Sequence, residues 1–412
     1  MKYNSIRGME DILPQQSTSW QNMISTARCV FNSFGYHEII LPVAERTEVF
    51  TRTLGDSSDI VNKEMYTFED KKGRSLTLRP EGTASVVRAV IEHGLLSSGN
   101  TVKVFYIGPM FRYERPQKGR KRQFYQMGVE FFGARSYYSD CDAVLCMSEI
   151  CKKLDIPIVI KINTLGCKSC LVKYTEFIKK SLTNKQDDLC KDCATRIKSN
   201  ILRVFDCKNK NCKNILKDIT PIYEMVCDKD KQQFTSFKDV LNKFDVTFVE
   251  DRTLVRGLDY YSGIIYEAYI KDYNSDAVSG GGRYNDLVSI MGGPQTPSVG
   301  FAIGIDRLIE YKNDSSKKEI DVFLVSLGPS ALHKNFELLI TLRNLGFSAE
   351  MEYEEKSPKS QFRKANSFNA KYVVVRGEDE IKKDIIKIKD MATGHEKEIK
   401  ENQLKTVLSN KT

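Results

Sequence analysis

Hydrophobic side chains between residues 17 and 34 recur at helical spacing. The apolar positions are Trp20, Met23, Ile24, Ala27, Val30, Phe31 and Phe34. They lie on one helical face and predict a long amphipathic helix that ends at Gly35, a residue suited to the turn after a helix. We expect this helix to pack on its own sheet or on a second subunit.

The pattern changes to a period of two in residues 101–133, which predicts two strands joined by a long loop. In the second strand this period places Gln126, Gly128 and Glu130 on one face and apolar side chains on the other. An amide, a carboxylate and a glycine that leaves space between them indicate a binding surface on this face.

The loop between these two strands is rich in cations. It contains Arg115, Lys118, Arg120, Lys121 and Arg122, with Arg112 and Glu114 where the first strand ends. Such a loop favours contact with polyphosphate or nucleic acid. The alternative is a solvated hairpin tip.

A second polar position lies in residues 75–83, SLTLRPEGT, an extended run that precedes an apolar-periodic helix. Glu81 falls on the turn between that strand and the helix, where its carboxylate can reach a pocket. The alternative is that Glu81 only begins the helix and interacts favourably with the helix dipole.

Extended segments return at residues 264–270, 277–282 and 298–301. Arg256 and Arg307 flank them, as Arg112 flanks the earlier strand. Three guanidinium groups on one face suit a triphosphate, because each can bind phosphate oxygens with two parallel donors. Taken singly, each arginine is more often the partner in a structural ion pair. The chain lacks GxxxxGK[ST] and GxGxxG, so a bound nucleotide must be held by side chains on a sheet.

Residues 167–243 are lysine-rich and mostly helical in propensity, which predicts a small inserted domain. The segment contains two CxxC pairs, Cys167 with Cys170 and Cys190 with Cys193, followed by Cys207 and Cys212. Two such pairs resemble a tetrahedral zinc site in which each pair chelates the ion. The alternative is a set of ordinary reduced thiols in helices.

The last hundred residues alternate between strand and helix patterns. The predicted order is strand 321–327, helix 332–345, strand 347–351, helix 360–368 and strand 371–376. This βαβαβ order predicts a small open α/β sheet.

Composition narrows the class of protein. With 412 residues, 41% of them hydrophobic, the chain supports two or three globular domains. A net charge of +9 favours an anionic partner. No apolar run reaches the length of a bilayer span, and eleven cysteines without an apolar signal segment favour a reducing compartment. We therefore expect a cytoplasmic protein without a membrane partner.

These stretches together resemble the histidyl-tRNA synthetase family of class II aminoacyl-tRNA synthetases. Class II motif 1 is similar to the helix ending near Gly35 and the short strand predicted over residues 36–43, which runs into Pro42; motif 2 is similar to FRYERPQKGRKRQFYQ, and motif 3 to GFAIGIDRL. LVRGLDYYSG resembles the family's histidine-specific signature, and RPEGT, QMGVE and the early GMEDILP agree with it.

The resemblance implies an α+β fold with an antiparallel-sheet catalytic domain, a mostly helical insertion and a C-terminal α/β anticodon-binding domain. The expected bounds are 1–165 and 249–312 for the catalytic domain, 166–248 for the insertion, 313–319 for a linker and 320–412 for the anticodon-binding domain.

Site roles follow from the resemblance, residue by residue. The histidine-binding residues implied are Glu81, Gly82, Thr83, Arg112, Gln126, Glu130, Arg256, Tyr260 and Tyr261. The ATP-binding residues implied are Arg112, Glu114, Arg120 and Arg307. Arg112, Arg256 and Arg307 are implied to be catalytic.

The implied reaction joins L-histidine to the 3′ end of tRNA(His) through histidyl-adenylate, with ATP and Mg²⁺. Arg115, Gln117 and Lys118 are implied to meet the acceptor end of the tRNA, and a homodimer is implied. The family neither requires nor forbids zinc in the insertion.

Two rival functions share this fold. One is a catalytically inactive, synthetase-like regulatory subunit of histidine biosynthesis, which lacks the anticodon domain and parts of the active site. The other is a class II synthetase for another amino acid, which RGLDYY argues against.

Overall fold

The structure is a computed structural model, and it describes residues 3–55, 58, 60–96, 100–117, 119–258, 260–272, 276–312 and 319–409. The chain divides into two compact units: Met1–Ile12 with Ser19–Asn313, and Leu13–Thr18 with Asp314–Thr412. Within the described ranges, no helix has the length and apolar character needed to cross a membrane.

The strands of the described chain are numbered in sequence order. They are β1 His37–Glu38, β2 Ala44–Arg46, β3 Tyr66–Glu69, β4 Ser75–Leu78, β5 Val102–Phe111, β6 Gln123–Phe132, β7 Ile158–Thr164, β8 Phe248–Glu250, β9 Ile264–Ile270, β10 Ser279–Arg283, β11 Ser298–Gly304, β12 Ile320–Ser326, β13 Ala349–Met351, β14 Ala370–Arg376, β15 Ile386–Asp390 and β16 Glu396–Ile399.

The α-helices are numbered in the same way. They are α1 Pro14–Ser33, α2 Thr47–Leu54, α3 Thr83–Glu92, α4 Tyr137–Lys153, α5 Lys168–Leu182, α6 Lys191–Lys198, α7 Lys210–Lys217, α8 Ile222–Met225, α9 Asp228–Lys243, α10 Leu287–Ile290, α11 Ile305–Tyr311, α12 Pro329–Asn344, α13 Pro358–Ser367, α14 Glu378–Lys383 and α15 Leu404–Ser409.

The first unit is built on an eight-stranded sheet with the order β1-β5-β6-β11-β10-β9-β7-β8. Its outermost pairs are parallel, and every pair from β5 to β7 across the middle is antiparallel. The predicted α+β fold with an antiparallel catalytic sheet is therefore confirmed. A separate three-stranded sheet, β2-β4-β3, leads into α3.

One face of the large sheet is covered by helices. Met127 and Val129 of β6 are buried there with side chains of α1, α4 and α9. Within this core, Phe31 stacks on Phe105 with ring centroids 4.7 Å apart. The predicted amphipathic helix is therefore confirmed, as Pro14–Ser33, and Gly35 follows it with φ +77°.

The strand expected through residues 36–43 is much shorter in the structure. Only His37–Glu38 pair with β5, and the chain then leaves the sheet. The carbonyls of Leu41 and Pro42 instead accept hydrogen bonds from the buried guanidinium of Arg79, at 2.9 and 3.2 Å. Pro42 has no N–H to offer a neighbouring strand, so the extension of β1 was a wrong prediction.

The lysine-rich segment is helical where it was expected to be, from α5 to α9, with two short 3-10 helices, Thr183–Asp188 and Ile201–Asp206. Its last helix is tied to the sheet, since Phe234, Phe237 and Leu241 are buried in the same core as α4.

The second unit contains a five-stranded sheet with the order β13-β12-β14-β15-β16. Strands β13, β12 and β14 are parallel and are connected by α12 and α13, which confirms the predicted βαβαβ order. The antiparallel hairpin β15–β16 extends this sheet and was not predicted.

Candidate active site

The open face of the large sheet has a floor of small residues. The cross-strand register aligns Tyr106 with Gly128, Gly128 with Ala302, Ala302 with Gly280, and Gly280 with Glu267. Three residues with little or no side chain therefore cross the sheet between a tyrosine and a glutamate. Above them lies a cavity of about 220 Å³.

Two glycines that line the cavity, Gly280 in the floor and Gly300 opposite Glu130, are required by their neighbours. A Cβ on Gly280 would lie 2.3 Å from Nη1 of Arg256, and a Cβ on Gly300 would lie 2.0 Å from Oε2 of Glu130. Real Cβ atoms do not approach other atoms so closely. The glycines therefore leave the space that two large polar side chains occupy.

Glu130 is the most deeply buried acid of the cleft, with 1% of its surface exposed. Thr83 donates its hydroxyl to Oε1 at 2.6 Å, and the Tyr284 hydroxyl donates to Oε2. Burial raises the pKa of Glu130 to about 8, although the two hydrogen bonds oppose the rise. The end of the cleft thus holds a carboxyl group whose charge depends on what binds beside it.

Glu81 lies at the start of α3. Its carboxylate accepts the backbone N–H of Thr83 at 2.7 Å and that of Ala84 at 2.8 Å. Burial raises the pKa of Glu81, and these two backbone donors oppose the rise. Glu81 therefore both begins the helix and lines the cavity, so the two interpretations of its sequence position are compatible. Gly82 lies between Glu81 and Thr83, and a Cβ on Gly82 would be 2.3 Å from the Tyr106 ring.

Arg256 is held at the opposite side of the floor. Its Nη1 donates to Glu267, which also accepts the Tyr269 hydroxyl at 2.6 Å. The guanidinium lies 5.2 Å from the centroid of the Tyr261 ring. Among the residues that the structure describes, its Nε is buried without a hydrogen-bond partner, which is the condition expected of a donor that awaits a ligand.

Arg112 extends from the end of β5. Its Nε donates to the Pro80 carbonyl at 2.9 Å, and its guanidinium lies 5.3 Å from the centroid of the Phe124 ring. Glu114 is 4.0 Å from the same guanidinium. This arrangement orients a cation over an aromatic ring at the edge of the cavity.

Arg307 begins α11 at the far end of the cleft. Its Nε donates to the Gly119 carbonyl at 3.1 Å, and its Nη1 donates to the Ala277 carbonyl. Burial lowers the pKa of Arg307, but a guanidinium stays charged in any case. Arg120 lies nearby, paired with Asp276 at 3.0 Å.

The cavity gathers most of the residues singled out in the sequence. Its lining includes Glu81, Thr83, Arg112, Glu114, Arg120, Gln126, Glu130, Arg256, Tyr260, Tyr261 and Arg307. Arg115 and Gln117 are exposed and outside it, and Lys118 lies outside the described residues.

Several side chains that were not singled out in the sequence also line the cavity, among them Tyr106, Phe124, Glu267 and Tyr284. Of these four, Glu267 left a usable signal, since it is a charged residue within the apolar strand β9. Tyr284 follows a glycine run, and nothing in that pattern distinguishes it from a core residue.

The two CxxC pairs do not share one site, which corrects the expected grouping. Cys190 and Cys193 cluster with Cys207 and Cys212, whereas Cys167 and Cys170 cluster with Cys227 and Asp230. Sequence spacing brought together the pairs that are adjacent along the chain, but the packing of the helices groups each pair with later residues.

The fold and the lining of the cavity indicate first a broad class of proteins, within which the family is then identified. An antiparallel sheet with a floor of small residues, lined by arginines in place of a phosphate-binding loop, has the fold of the class II aminoacyl-tRNA synthetases.

Comparison with known proteins identifies the family. Residues 8–308 match the family model described as histidyl-tRNA synthetase, and residues 321–411 match the anticodon binding domain. The chain is 43% identical to the histidine–tRNA ligase of Halothermothrix orenii, over 97% of each chain. It is 41% identical to that of Aquifex aeolicus, covering 98% of this chain and 100% of that one. The chain therefore belongs to the histidyl-tRNA synthetase family.

Solved structures agree with this assignment. Apo histidyl-tRNA synthetase from S. aureus is similar with a TM-score of 0.84 and 31% identity, over 99% of this chain and 100% of that one. A Bacillus halodurans protein described as an ATP phosphoribosyltransferase regulatory subunit/histidyl-tRNA synthetase is similar with a TM-score of 0.65 and 20% identity, over 92% and 99% of the two chains. The second likeness shows the shared fold alone.

Proposed function

We propose that this chain activates L-histidine with ATP to form histidyl-adenylate and then transfers histidine to the 3′ end of tRNA(His), releasing AMP and diphosphate. The observation that carries the proposal is one cavity lined by four arginines and ending at a buried carboxyl group, Glu130. Family membership supports the same reaction.

Histidine binds at the end of the cavity that Glu130 closes. Glu130 and Tyr261, with Tyr260 alongside, meet the imidazole ring, while Glu81 and Thr83 hold the α-ammonium group. A ring N–H beside Glu130 favours the charged carboxylate, which then pairs with the ring. An amino acid without that N–H leaves the carboxyl group unpaired in a buried site, which is the basis of strong discrimination.

Gln126 and Gly82 complete this subsite in different ways. Within the described part of the chain, Oε1 of Gln126 is buried without a hydrogen-bond partner and lines the cavity, so it is available to a substrate donor. Gly82 contributes the space that Tyr106 fills.

ATP occupies the part of the cavity lined by Arg112, Glu114, Arg120 and Arg307. Arg112 binds the α-phosphate, Arg120 and Arg307 bind the β- and γ-phosphates, and Glu114 lies near the adenine. Mg²⁺ prefers phosphate and carboxylate oxygens, and the phosphates of ATP would supply most of its ligands here, because the Glu114 carboxylate is already paired with Arg112 and Arg120. When bound, Mg²⁺ supplies positive charge to the phosphates.

In the first step the histidine carboxylate attacks the α-phosphorus and pyrophosphate leaves. No general base is needed, because the nucleophile is already ionised. Arg256 lies between the carboxylate and the α-phosphate, and together with Arg112 it stabilises the charge that develops on the phosphate oxygens. The task of the site is to hold two anions together against their repulsion. In the second step, the terminal ribose hydroxyl of tRNA attacks the adenylate.

The domain roles belong to the same proposal. Residues 1–165 and 249–312 form the catalytic domain, 166–248 the insertion, 313–319 a linker and 320–412 the anticodon-binding domain. The exposed Arg115 and Gln117 meet the acceptor end of the tRNA, as does Lys118, which the structure leaves undescribed.

The proposal also includes a partner subunit and a location, which family membership supports. The chain acts as a homodimer in the cytoplasm, with α1 and the segment after it at the subunit interface. Structural zinc in the insertion completes the proposal.

A regulatory subunit is less well supported. That rival lacks an anticodon domain and parts of the active site, whereas residues 321–411 match the anticodon binding domain and Glu81, Arg112, Arg256 and Arg307 line one cavity.

ATP–pyrophosphate exchange with each of the twenty amino acids tests the proposed activity. We expect exchange with histidine alone. Exchange with another amino acid would assign the chain to a different specificity, and no exchange would favour the regulatory subunit. Ending the chain after residue 312 tests the domain roles: tRNA charging should fall far more than adenylate formation, and equal losses would contradict the assignment.

A further inference from the structure

The proposed catalytic steps use no cysteine of the helical segment, yet these cysteines lie in two compact groups. All cysteines of the described chain are free thiols. Two groups, each of four ligand side chains, have all their ligand atoms within 4.8 Å of one another. We propose that each group binds its own zinc ion, so that the segment from Cys167 to Lys243 holds two.

The first group is a complete set of thiolate ligands, formed by Cys190, Cys193, Cys207 and Cys212. Cys190 precedes α6, Cys193 lies in its first turn, Cys207 follows the 3-10 helix and Cys212 lies in α7. The sulfurs of Cys190 and Cys207 are 3.7 Å apart. A tetrahedral ion with Zn–S bonds of about 2.3 Å requires sulfurs about 3.8 Å apart.

Backbone donors support these sulfurs as thiolates. The N–H of Cys190 donates to the sulfur of Cys212 at 3.3 Å, and the N–H of Asn209 donates to the sulfur of Cys207 at 3.4 Å. Cys193, Cys207 and Cys212 are buried. Buried thiolates are costly unless a cation compensates them, and outer hydrogen bonds of this kind orient the ligands of a metal site.

The second group repeats one local pattern at two helix starts. Cys167 and Cys170 span the first turn of α5, and Cys227 and Asp230 span the first turn of α9 with the same spacing of three. The ligand atoms are 3.4 Å apart for Cys167 and Cys170, 3.7 Å for Cys170 and Asp230, and 3.1 Å for Cys227 and Asp230. Cysteine sulfur and carboxylate oxygen are both zinc ligands, so three sulfurs and one oxygen can fill a four-coordinate site.

The backbone of each helix start donates to a ligand of the other. Cys167 N–H donates to Asp230 at 2.8 Å, and Cys227 N–H donates to the sulfur of Cys170 at 3.3 Å. These reciprocal bonds hold the two turns face to face. In both groups the compact ligand set suits one ion, since an iron–sulfur cluster would have to fit several irons and sulfides between its cysteines.

The second site lies next to a wall of the cavity. Gly166, which precedes Cys167, accepts the N–H of Gly263 at 2.8 Å, and Leu165 donates to the Gly263 carbonyl at 2.7 Å. Gly263 follows Tyr260 and Tyr261 directly after Ser262. An ion at the second site therefore fixes the root of the insertion where the chain meets the tyrosines, whereas an ion at the first site fixes only its interior.

Metal analysis of the purified full-length protein tests the proposal without reference to its activity. We expect two zinc ions per chain, one in Cys207→Ser, one in Cys227→Ser and none in the double variant. Cys29→Ser is the matched control, since Cys29 is exposed and belongs to neither group, and it should keep two. Cobalt substitution should show thiolate-to-metal absorption from both sites, and each single variant should lose a different part of that spectrum.

Several results would overturn the two-site assignment. These are no zinc in a protein with fully reduced thiols, a single ion that both variants lose, or iron with labile sulfide. If a variant does not fold, the wild-type stoichiometry and its release by a chelator in two separate phases still decide the question. Amide exchange adds a test of the link to the cavity: Cys227→Ser should speed exchange at Gly263 and Cys207→Ser should not, and equal effects would contradict the link.

Discussion

The cavity and the cysteine groups use polar side chains in opposite ways. In the cavity, the ladder of the sheet fixes the neighbours of each side chain, so that Glu130, Thr83 and Tyr284 meet from three separate elements without any ligand. In the cysteine groups, helix packing brings four ligand atoms together, and buried thiolates there would need a cation to compensate them. The first region is organised before it binds, whereas the second, on our proposal, is completed by the ions that it binds.

This difference predicts separable effects. Substitutions in the cavity should change catalysis with little loss of stability, because the sheet carries the fold. Substitutions in the cysteine groups should change stability first.

Arg112→Ala should have the largest effect on catalysis. It removes a cation from the α-phosphate position, and losing one such electrostatic contact costs about 10²–10³ in rate. Pyrophosphate exchange measures the loss, and urea unfolding should show an unchanged midpoint. A midpoint that falls together with the rate would mean that Arg112 also stabilises the fold. The contrast between the cavity and the cysteine groups would then not hold.

Arg283 is the matched control for Arg112. It lies in the same unit but in a buried ion pair, with its Nε 3.2 Å from both oxygens of Asp140. Arg283→Met leaves that acid buried without its partner, so we expect a loss of about 3–5 kcal/mol in the free energy of unfolding.

Glu130→Gln should reduce kcat/KM for histidine by about 10², less than the discrimination of a fully unpaired site because glutamine still forms hydrogen bonds.

The same variant tests whether burying Glu130 lowers the stability of the folded protein. Since the pKa of Glu130 is raised from 4.5 to about 8, the folded protein keeps a proton that the unfolded chain has released, and the free energy of unfolding falls as the pH rises through this range.

The expected size of that fall is roughly 2–3 kcal/mol between pH 6 and pH 9 for this residue. Glu130→Gln should remove it, so the variant should gain stability relative to the parent at pH 9. Urea midpoints at the two pH values measure the difference. Identical pH profiles for parent and variant would show that folding does not raise the pKa of Glu130.

Gly280→Ala should have a smaller effect, about tenfold on the rate of adenylate formation, because Arg256 must move away from the new methyl group to an imperfect position. Gly108→Ala is its partner experiment. There the Cβ would lie 2.2 Å from Nη2 of Arg79, whose contacts are structural, so we expect lower stability and an unchanged rate per folded molecule. The same outcome for both variants would erase the distinction between the two positions.

Tyr269→Phe should have the smallest effect, about twofold to fivefold on kcat. A hydrogen bond to a charged acceptor is worth about 1.5–3 kcal/mol, but Tyr269 donates to Glu267 and acts on Arg256 only through that carboxylate. The change removes one partner of Glu267 and leaves its pair with Arg256. In a Glu267→Gln background the same change should have little further effect on kcat, because Tyr269 acts through Glu267. An equal loss in both backgrounds would show that Tyr269 does not act through Glu267.

The fold could be predicted from the sequence more completely than the details of the site. Periodicity located α1 and the strands of residues 101–133 because each buries a continuous apolar face. It overextended β1, because the contacts of Arg79 that end the strand come from a different part of the chain.

Within the cavity, residues with a distinctive local pattern were recognised and those defined by register were not. Tyr284 reaches Glu130 only because β10 and β6 both flank β11. The cysteines illustrate the same limit, since Cys227 and Asp230 join Cys167 and Cys170 through the packing of α5 and α9 rather than through spacing.

The floor of small residues has a consequence for inhibition. A flat compound lying over Gly128, Ala302 and Gly280 would touch peptide groups more than side chains. Resistance by substitution of Gly128 or Gly280 would be costly to the enzyme. The added Cβ would collide with Tyr106 or Arg256 and disturb the site on which activity depends. Escape from such a drug would therefore have to arise elsewhere in the molecule.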